Sequence, residues 1–170
     1  MEEKLKRILI IGGNGSGKTT FSKKLSEKIG IPLIHLDSLY WKDNWTPALN
    51  DEFDYLLYQE LAKERWILDG NMNRTFLKRL EYCDSVIYFD FSRLICICRA
   101  IKRIIKNYGK SRPDMGGYCP ERLDFKFLKA VWNFNKKNRQ RYYELLKSKK
   151  NLKIIILKNN RDVKKMLQSL

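Results

Sequence analysis

Residues 8–25 read ILIIGGNGSGKTTFSKKL: four aliphatic residues, then a loop rich in glycine, then a Lys-Thr-Thr step into an amphipathic run. An apolar segment of the kind that a parallel sheet buries stops at a loop almost without side chains, and a helical pattern follows. The loop Gly12-Gly13-Asn14-Gly15-Ser16-Gly17-Lys18-Thr19 satisfies GxxxxGK[ST] in full and stands in the strand-to-helix context that this pattern requires. Its glycines let the backbone take positive φ and turn several N–H groups toward one anion, while the helix starting near Gly17 adds its positive dipole end. A polyphosphate fits such a cradle. Lys18 is expected at the β- and γ-phosphates of ATP, and the Thr19 hydroxyl on the Mg²⁺ that the nucleotide carries. Gly12, Gly13, Asn14, Gly15, Ser16, Gly17, Lys18, Thr19 and Thr20 form the expected nucleotide-binding set.

Composition limits what surrounds this loop. At 170 residues, with 44% hydrophobic and 12% aromatic side chains, the chain is long and apolar enough for a core of its own, and residues 1–170 read as one domain. No apolar run approaches the length of a membrane span, and MEEKLKR leads straight into the first strand, so a cytoplasmic protein is expected. Cys83, Cys96, Cys98 and Cys119 form no CxxC pair and read as free thiols; the single His35 reads as a packing residue at a strand end. The net charge of +16 is uneven: residues 1–90 hold 13 basic and 14 acidic side chains, residues 91–170 hold 22 and 5. A basic half suits either a nucleic-acid surface or a set of cations around the phosphates of a small ligand.

Apolar runs at 7–12, 32–36, 66–70, 85–90 and 153–158 alternate with helical patterns at about 17–29, 50–63, 92–107, 124–149 and 160–168. This is the signature of an α/β fold, a five-stranded parallel sheet with helices on both faces. Ligands of such sheets bind at the carboxyl ends of the strands, where Asp37, Asp69 and Asp90 fall. Asp69, in WILDGN, is read as the acid that holds Mg²⁺ with Thr19, and Asp90, in IYFD, is its competitor. Asp37, expected at the end of the second strand, is placed to take the proton of an attacking hydroxyl or to hold the acceptor, the other reading being a turn cap.

The P-loop, the WILDGN strand, the segment DFSRLICICRAIKRI and the helix after a glycine-containing insert resemble the adenylate kinase-like branch of P-loop phosphotransferases. Within it, HLD before a tryptophan-bearing segment, DGN after the third strand and the insert RPDMGGYCPER (112–122) are similar to the DNA topology modulation proteins of bacteria. That resemblance spans nearly the whole chain and implies the fold of a small-molecule or nucleotide kinase. Adenylate kinases continue LDG with Phe-Pro-Arg, whereas here Asn71, Met72 and Asn73 precede Arg74, so the arginine for an acceptor phosphate is displaced by one residue. The short aromatic segment holding Tyr40, Trp41 and Trp45 argues for an acceptor other than AMP, stacked on these rings if they do not instead fill the core.

The insert at about 108–123 reads as a lid, with Gly109, Gly116 and Gly117 as places to bend and water exclusion as its purpose. Arg99 and Arg103 stand four apart on the helix leading into it, and Arg112 lies within it; planar guanidinium forks suit phosphate oxygens in a transition state. On the helix after the lid, Asn135 and Arg139 interrupt the apolar stripe of Leu128, Val131, Trp132, Tyr142 and Leu146. A charge on a core-facing stripe needs a partner, so Arg139 is expected to face phosphate or a strand-end carboxylate such as Asp69. Lys18, Asp37, Arg103, Arg112 and Arg139 are therefore the expected catalytic residues of a Mg-dependent kinase that moves the γ-phosphate of ATP to a small-molecule or nucleotide acceptor. The alternative is a nucleotide-dependent DNA-binding regulator built on the basic half. No helix-turn-helix, zinc or RNP-type signature accompanies it, and any nucleic-acid binding is expected to be weak. The sequence leaves the acceptor and the oligomeric state open.

Overall fold

The computed structural model describes residues 5–149 and 151–170. The first four residues, read as the lead into the first strand, and Lys150 of the basic half lie outside the described residues.

The five apolar runs form five parallel strands, β1 (Arg7–Gly12), β2 (Leu33–His35), β5 (Trp66–Asp69), β6 (Ser85–Phe89) and β7 (Lys153–Leu157). Between β2 and β5 lies a small antiparallel hairpin of β3 (Trp41–Lys42) and β4 (Thr46–Pro47). The sheet order is β2-β5-β1-β6-β7, with β1 at the centre. Ile10 pairs with Asp69 and Gly12 with Phe89, so the P-loop, Asp69 and Asp90 emerge at one edge of the sheet.

Alternating side chains of each strand feed two apolar layers. Leu9, Ile11, Leu68, Val86 and Tyr88 pack with α3 (Asn50–Leu61), α4 (Phe76–Tyr82) and the C-terminal half of α6 (Phe125–Lys147). Ile8, Ile10, Ile67, Ile87 and Phe89 pack on the opposite face with α1 (Lys18–Ile29), α5 (Arg93–Asn107) and α7 (Asn160–Gln168). Both faces of the three central strands are therefore dry, while the edge strands β2 and β7 are half-buried. Leu9 is fully buried, and truncating it to alanine would cost about 2–5 kcal/mol.

The β3–β4 hairpin and the helices α2 (Leu36–Tyr40) and α4 were not legible in advance. Asp37 does not end a strand: β2 stops at His35, and Asp37 sits in the first turn of the five-residue helix α2. The helix α4 lies where no helical pattern is evident, because at 7 residues it spans under two turns. Arg79 within it is fully buried and donates to the carbonyls of Gly70, Asn71 and Met72, fixing the chain just after β5. Burial pulls the Arg79 pKa down to about 10, mild enough to leave the guanidinium charged on its three carbonyls.

Candidate functional site

The loop between β1 and α1 folds as its glycines require. Gly15 and Gly17 take φ of 82° and 100°, and a side chain at Gly15 would collide with the Cys96 carbonyl of α5. The N-cap of α1 is Gly17, which supplies no side-chain acceptor, and no acidic residue lies in the first turn. The first N–H groups of the helix are thus left for an anion. Lys18 is buried, and its ammonium donates to the Gly13 carbonyl at 3.1 Å. Burial lowers the Lys18 pKa, while the nearby Asp69 and Asp37 oppose the shift. An ammonium with three donors held by one carbonyl is a cation awaiting further acceptors.

Asp69 meets the P-loop directly. Its Oδ2 accepts from the Thr19 hydroxyl at 2.8 Å and lies 3.4 Å from His35 Nδ1, while Oδ1 is buried and has no partner. Asn71 clamps β1 from the other side, accepting from Gly12 N at 3.0 Å and donating to Gly12 O at 2.7 Å. Among the described residues no three His, Cys, Asp or Glu side chains gather around one metal point. A Mg²⁺ that keeps its waters and takes one carboxylate, one hydroxyl and phosphate oxygens fits the pair Thr19 and Asp69 with its orphaned Oδ1.

A cleft of about 1180 Å³ runs over the P-loop from Asn160 at the β7–α7 turn to His35, Asp37 and the β3–β4 hairpin at the other end. Arg99, Arg103 and Arg112 all line it. Arg99 donates to the Ser16 carbonyl at 3.0 Å and to Asn160 at 2.8 Å, bracing the loop. Arg103 and Arg112 converge on one buried carboxylate: Glu121 Oε1 lies 3.0 Å from Arg103 Nε and 2.8 Å from Arg112 Nε. Arg112 also pairs with Asp114 at 2.5 Å. Burial lowers the Arg103 pKa and the neighbouring Arg112 adds to the fall, so two desolvated guanidiniums share one anion. Asp37 sits half-buried in the same cleft, its pKa raised by burial, with Arg112 opposing the shift and Asp69 reinforcing it.

The segment from Tyr108 to Asp124 is not a loose flap hinged at three glycines. Gly109 is a true turn residue, with φ of 71° and open space around it. Gly116 and Gly117 have another cause: added side chains would strike Ser38 O and, at 2.5 Å, Asp43 N. The segment is sewn to the β3–β4 hairpin by Asn44 N to Tyr118 O (2.8 Å), Tyr118 N to Asp43 Oδ1 (2.6 Å), Trp45 Nε1 to Pro120 O (2.9 Å) and Cys119 Sγ to Lys42 O (3.1 Å). These contacts hold Asn44 and Trp45 at φ of 56° and 60°, a conformation costly for tryptophan. Tyr40, Trp41 and Trp45 form a chain of edge-to-face rings and line the cleft while half-buried, serving as wall rather than as core interior.

Arg139 is elsewhere. It donates to Asp90 Oδ2 from Nε (3.1 Å) and Nη2 (2.8 Å), beside the Tyr143 hydroxyl (2.9 Å). Its side chain is 54% exposed, and neither Arg139 nor Asp90 lines the cleft. The polar interruption of the stripe therefore serves the end of β6, with Asn135 donating to Phe91 O at 2.9 Å, and not Asp69 or the phosphate cradle. The side chains that sequence reasoning missed are Asn71, Asp114, Glu121 and the Asp69 contact of His35. The DGN motif, which contains Asn71, and the RPDMGGYCPER motif, which contains Asp114 and Glu121, carried a signal for three of them.

All four cysteines are free, and no helix among the described residues is long and apolar enough to cross a membrane. No family model matches the chain, and no curated protein matches it. Among solved structures, a shikimate kinase from Acinetobacter baumannii in complex with shikimate is similar to it, with a TM-score of 0.64 and 16% identity over 98% of this chain and 91% of that chain. With the five-stranded parallel sheet, its central strand β1 and the flanking helices, this likeness establishes an α/β fold shared with that structure.

Proposed function

We propose that the protein is an ATP-dependent phosphotransferase that moves a γ-phosphoryl group to a small hydroxyl acceptor. The observation that carries the reading is the buried Lys18 ammonium at an uncapped helix N-terminus, facing a cleft into which Arg103 and Arg112 also project. Phosphoryl transfer asks a protein mainly for positioned cations and exclusion of water. The P-loop from Gly12 to Thr20 holds the phosphates, with Lys18 against their outer oxygens. Thr19 and Asp69 hold Mg²⁺, which supplies neutralisation of the developing charge on the phosphates. Arg103 stabilises the transferring group from the lid side, Arg112 anchors the lid, and Asp37 accepts the proton of the attacking hydroxyl. Arg139 has no part in this set. The similarity of the motifs to the DNA topology modulation proteins supports a place in that group of kinase-like chains.

Mg-ATP at about 100 times its Kd should raise the melting temperature by about 5–10 °C, equivalent to about 2.7 kcal/mol. Lys18→Ala should lose most of that shift. A shift of equal size in the variant would remove Lys18 from the phosphate site, and a triphosphate bound anywhere but the 12–20 loop in a co-crystal would refute the reading.

A further inference from the structure

Arg103 and Arg112 reach the cleft from different elements, α5 and the lid, and are committed to different degrees. Arg112 belongs to the lid: Nη1 pairs with Asp114 at 2.5 Å, Nη2 donates to Met115 Sδ at 3.1 Å, and Nε lies 2.8 Å from Glu121 Oε1. The Arg103 guanidinium meets the lid at its Nε, 3.0 Å from the same oxygen, and its two Nη nitrogens have no partner among the described residues. The Phe127 ring of α6 flanks it, 5.3 Å from the guanidinium carbon to the ring centroid. Arg103 also stands within electrostatic reach of both Lys18 in the phosphate cradle and Asp37. A guanidinium held at its Nε edge and flanked by a ring keeps its terminal fork for oxygens in the cleft.

Glu121 is the group at that edge. Its main chain is pinned in the lid on both sides, N donating to Lys110 O at 3.0 Å and O accepting from Gly109 N at 2.9 Å. Its side chain is 4% exposed, and Oε1 makes no hydrogen bond with either Nε, so what it supplies is charge. Two desolvated guanidiniums repel one another unless an anion lies between them. Burial pushes the Arg103 pKa down and Arg112 adds to the fall, while Glu121 opposes it. Resting on the kinase reading above, we infer that Glu121 is a positioning residue of the transfer: its charge holds the Arg103 guanidinium beside Arg112, with the terminal nitrogens free for the transferring phosphoryl group. Glu121 acts on the reaction through Arg103 alone. Without its charge Arg112 drives Arg103 away, and the fork is lost where negative charge develops in the transition state, whereas the P-loop still holds the ground-state phosphates.

The test titrates the full chain with Mg-ADP, alone and with fluoroaluminate, an anion that takes the place of the transferring phosphoryl group. Wild type should bind Mg-ADP about tenfold tighter or more with fluoroaluminate, because the mimic meets donors that the diphosphate does not. Glu121→Gln, which removes the charge at nearly constant shape, should keep Mg-ADP affinity within about threefold and lose most of the fluoroaluminate gain. Glu121→Asp keeps the charge but draws it back by one methylene; it should lose about threefold of the gain, and it serves alone if the glutamine variant does not fold. In Arg103→Ala, itself short of most of the gain, neither change at Glu121 should cost more. A merely structural role for Glu121 would lower the melting temperature of the free chain and leave the gain intact. The full gain in either Glu121 variant, a further loss in the Arg103→Ala background, or a wild type that binds Mg-ADP with no gain would overturn the inference and leave nucleotide binding standing. Failure of the wild type to bind Mg-ADP would take the kinase reading down with it.

Discussion

The Thr19 hydroxyl donates a 2.8 Å hydrogen bond to Asp69 Oδ2, joining the first turn of α1 to the end of β5 across 50 residues of sequence. The bond holds both groups at one point beside the Lys18 ammonium, while the second Asp69 oxygen stays buried and unpaired. Proximity of a hydroxyl, a carboxylate and an ammonium at a phosphate cradle separates the roles of loop and acid, and the separation is measurable.

Asp69→Asn should lower phosphoryl transfer by about two orders of magnitude or more yet leave nucleotide affinity within about tenfold, or about 1.4 kcal/mol. Asp90→Asn should barely change transfer, because Asp90 is occupied with Arg139 and Tyr143; it should instead cost about 1–3 kcal/mol of stability. Kinetics, nucleotide titration and urea unfolding of both variants check this. A larger kinetic loss at Asp90 would mean that the metal acid is on β6.

The seam between lid and hairpin should be breakable at one atom. Gly117→Ala places a methyl 2.5 Å from Asp43 N, so the lid must lift from the hairpin at a cost of about 1–3 kcal/mol. Tryptic cleavage after Lys110 and Arg122, followed by mass spectrometry, should quicken severalfold in the variant. The same alanine at Gly109, which has nothing within 4 Å, should strain only its own backbone. Equal rates for wild type and Gly117→Ala would show that the docking contacts do not restrain the lid.

Asp37 makes stability depend on pH in a defined sense. Its folded pKa lies above the ordinary 3.8, so the folded chain holds this proton more tightly than the unfolded chain does. Stability from this group is therefore present at low pH and declines as pH rises from about 4 through the raised value. Asp37→Asn, which has no charge to bury, should melt higher than wild type at pH 7, and the difference should close below pH 4. A variant that melts lower at pH 7 would show that the carboxylate is net stabilising through Arg112.

The basic half should behave as solvated charge. A DNA-binding surface that neutralises six or more phosphates loses about 10³-fold in affinity between 50 and 200 mM salt. Here Arg103 and Arg112 turn into the cleft onto Glu121, Arg139 turns onto Asp90, and Lys147, Lys164 and Lys165 are exposed on α6 and α7. Duplex binding at 150 mM salt should be weak by fluorescence anisotropy. Submicromolar binding that survives Lys18→Ala, with no acceptor phosphorylated, would favour a DNA-binding regulator over a kinase.

What the sequence determined by itself was local. The strand ILII, the glycines that follow it and the Lys-Thr that opens α1 are adjacent in the chain, so their backbone demands and their ligand could be read from order alone. The five strands and five of the helices were legible for the same reason, since each carries its own period. The tertiary structure decided which charges meet. Arg139 took Asp90 because α6 crosses the end of β6, and Gly116 and Gly117 are glycines because Ser38 of α2 and Asp43 of the hairpin, far earlier in the chain, leave no room for a Cβ. Glu121 joins Arg103 to Arg112 only after α5 and the lid have closed on one another. Pairing energy depends on distances between residues far apart in the chain and on how much water folding removes around them, and neither is a property of any short stretch of sequence.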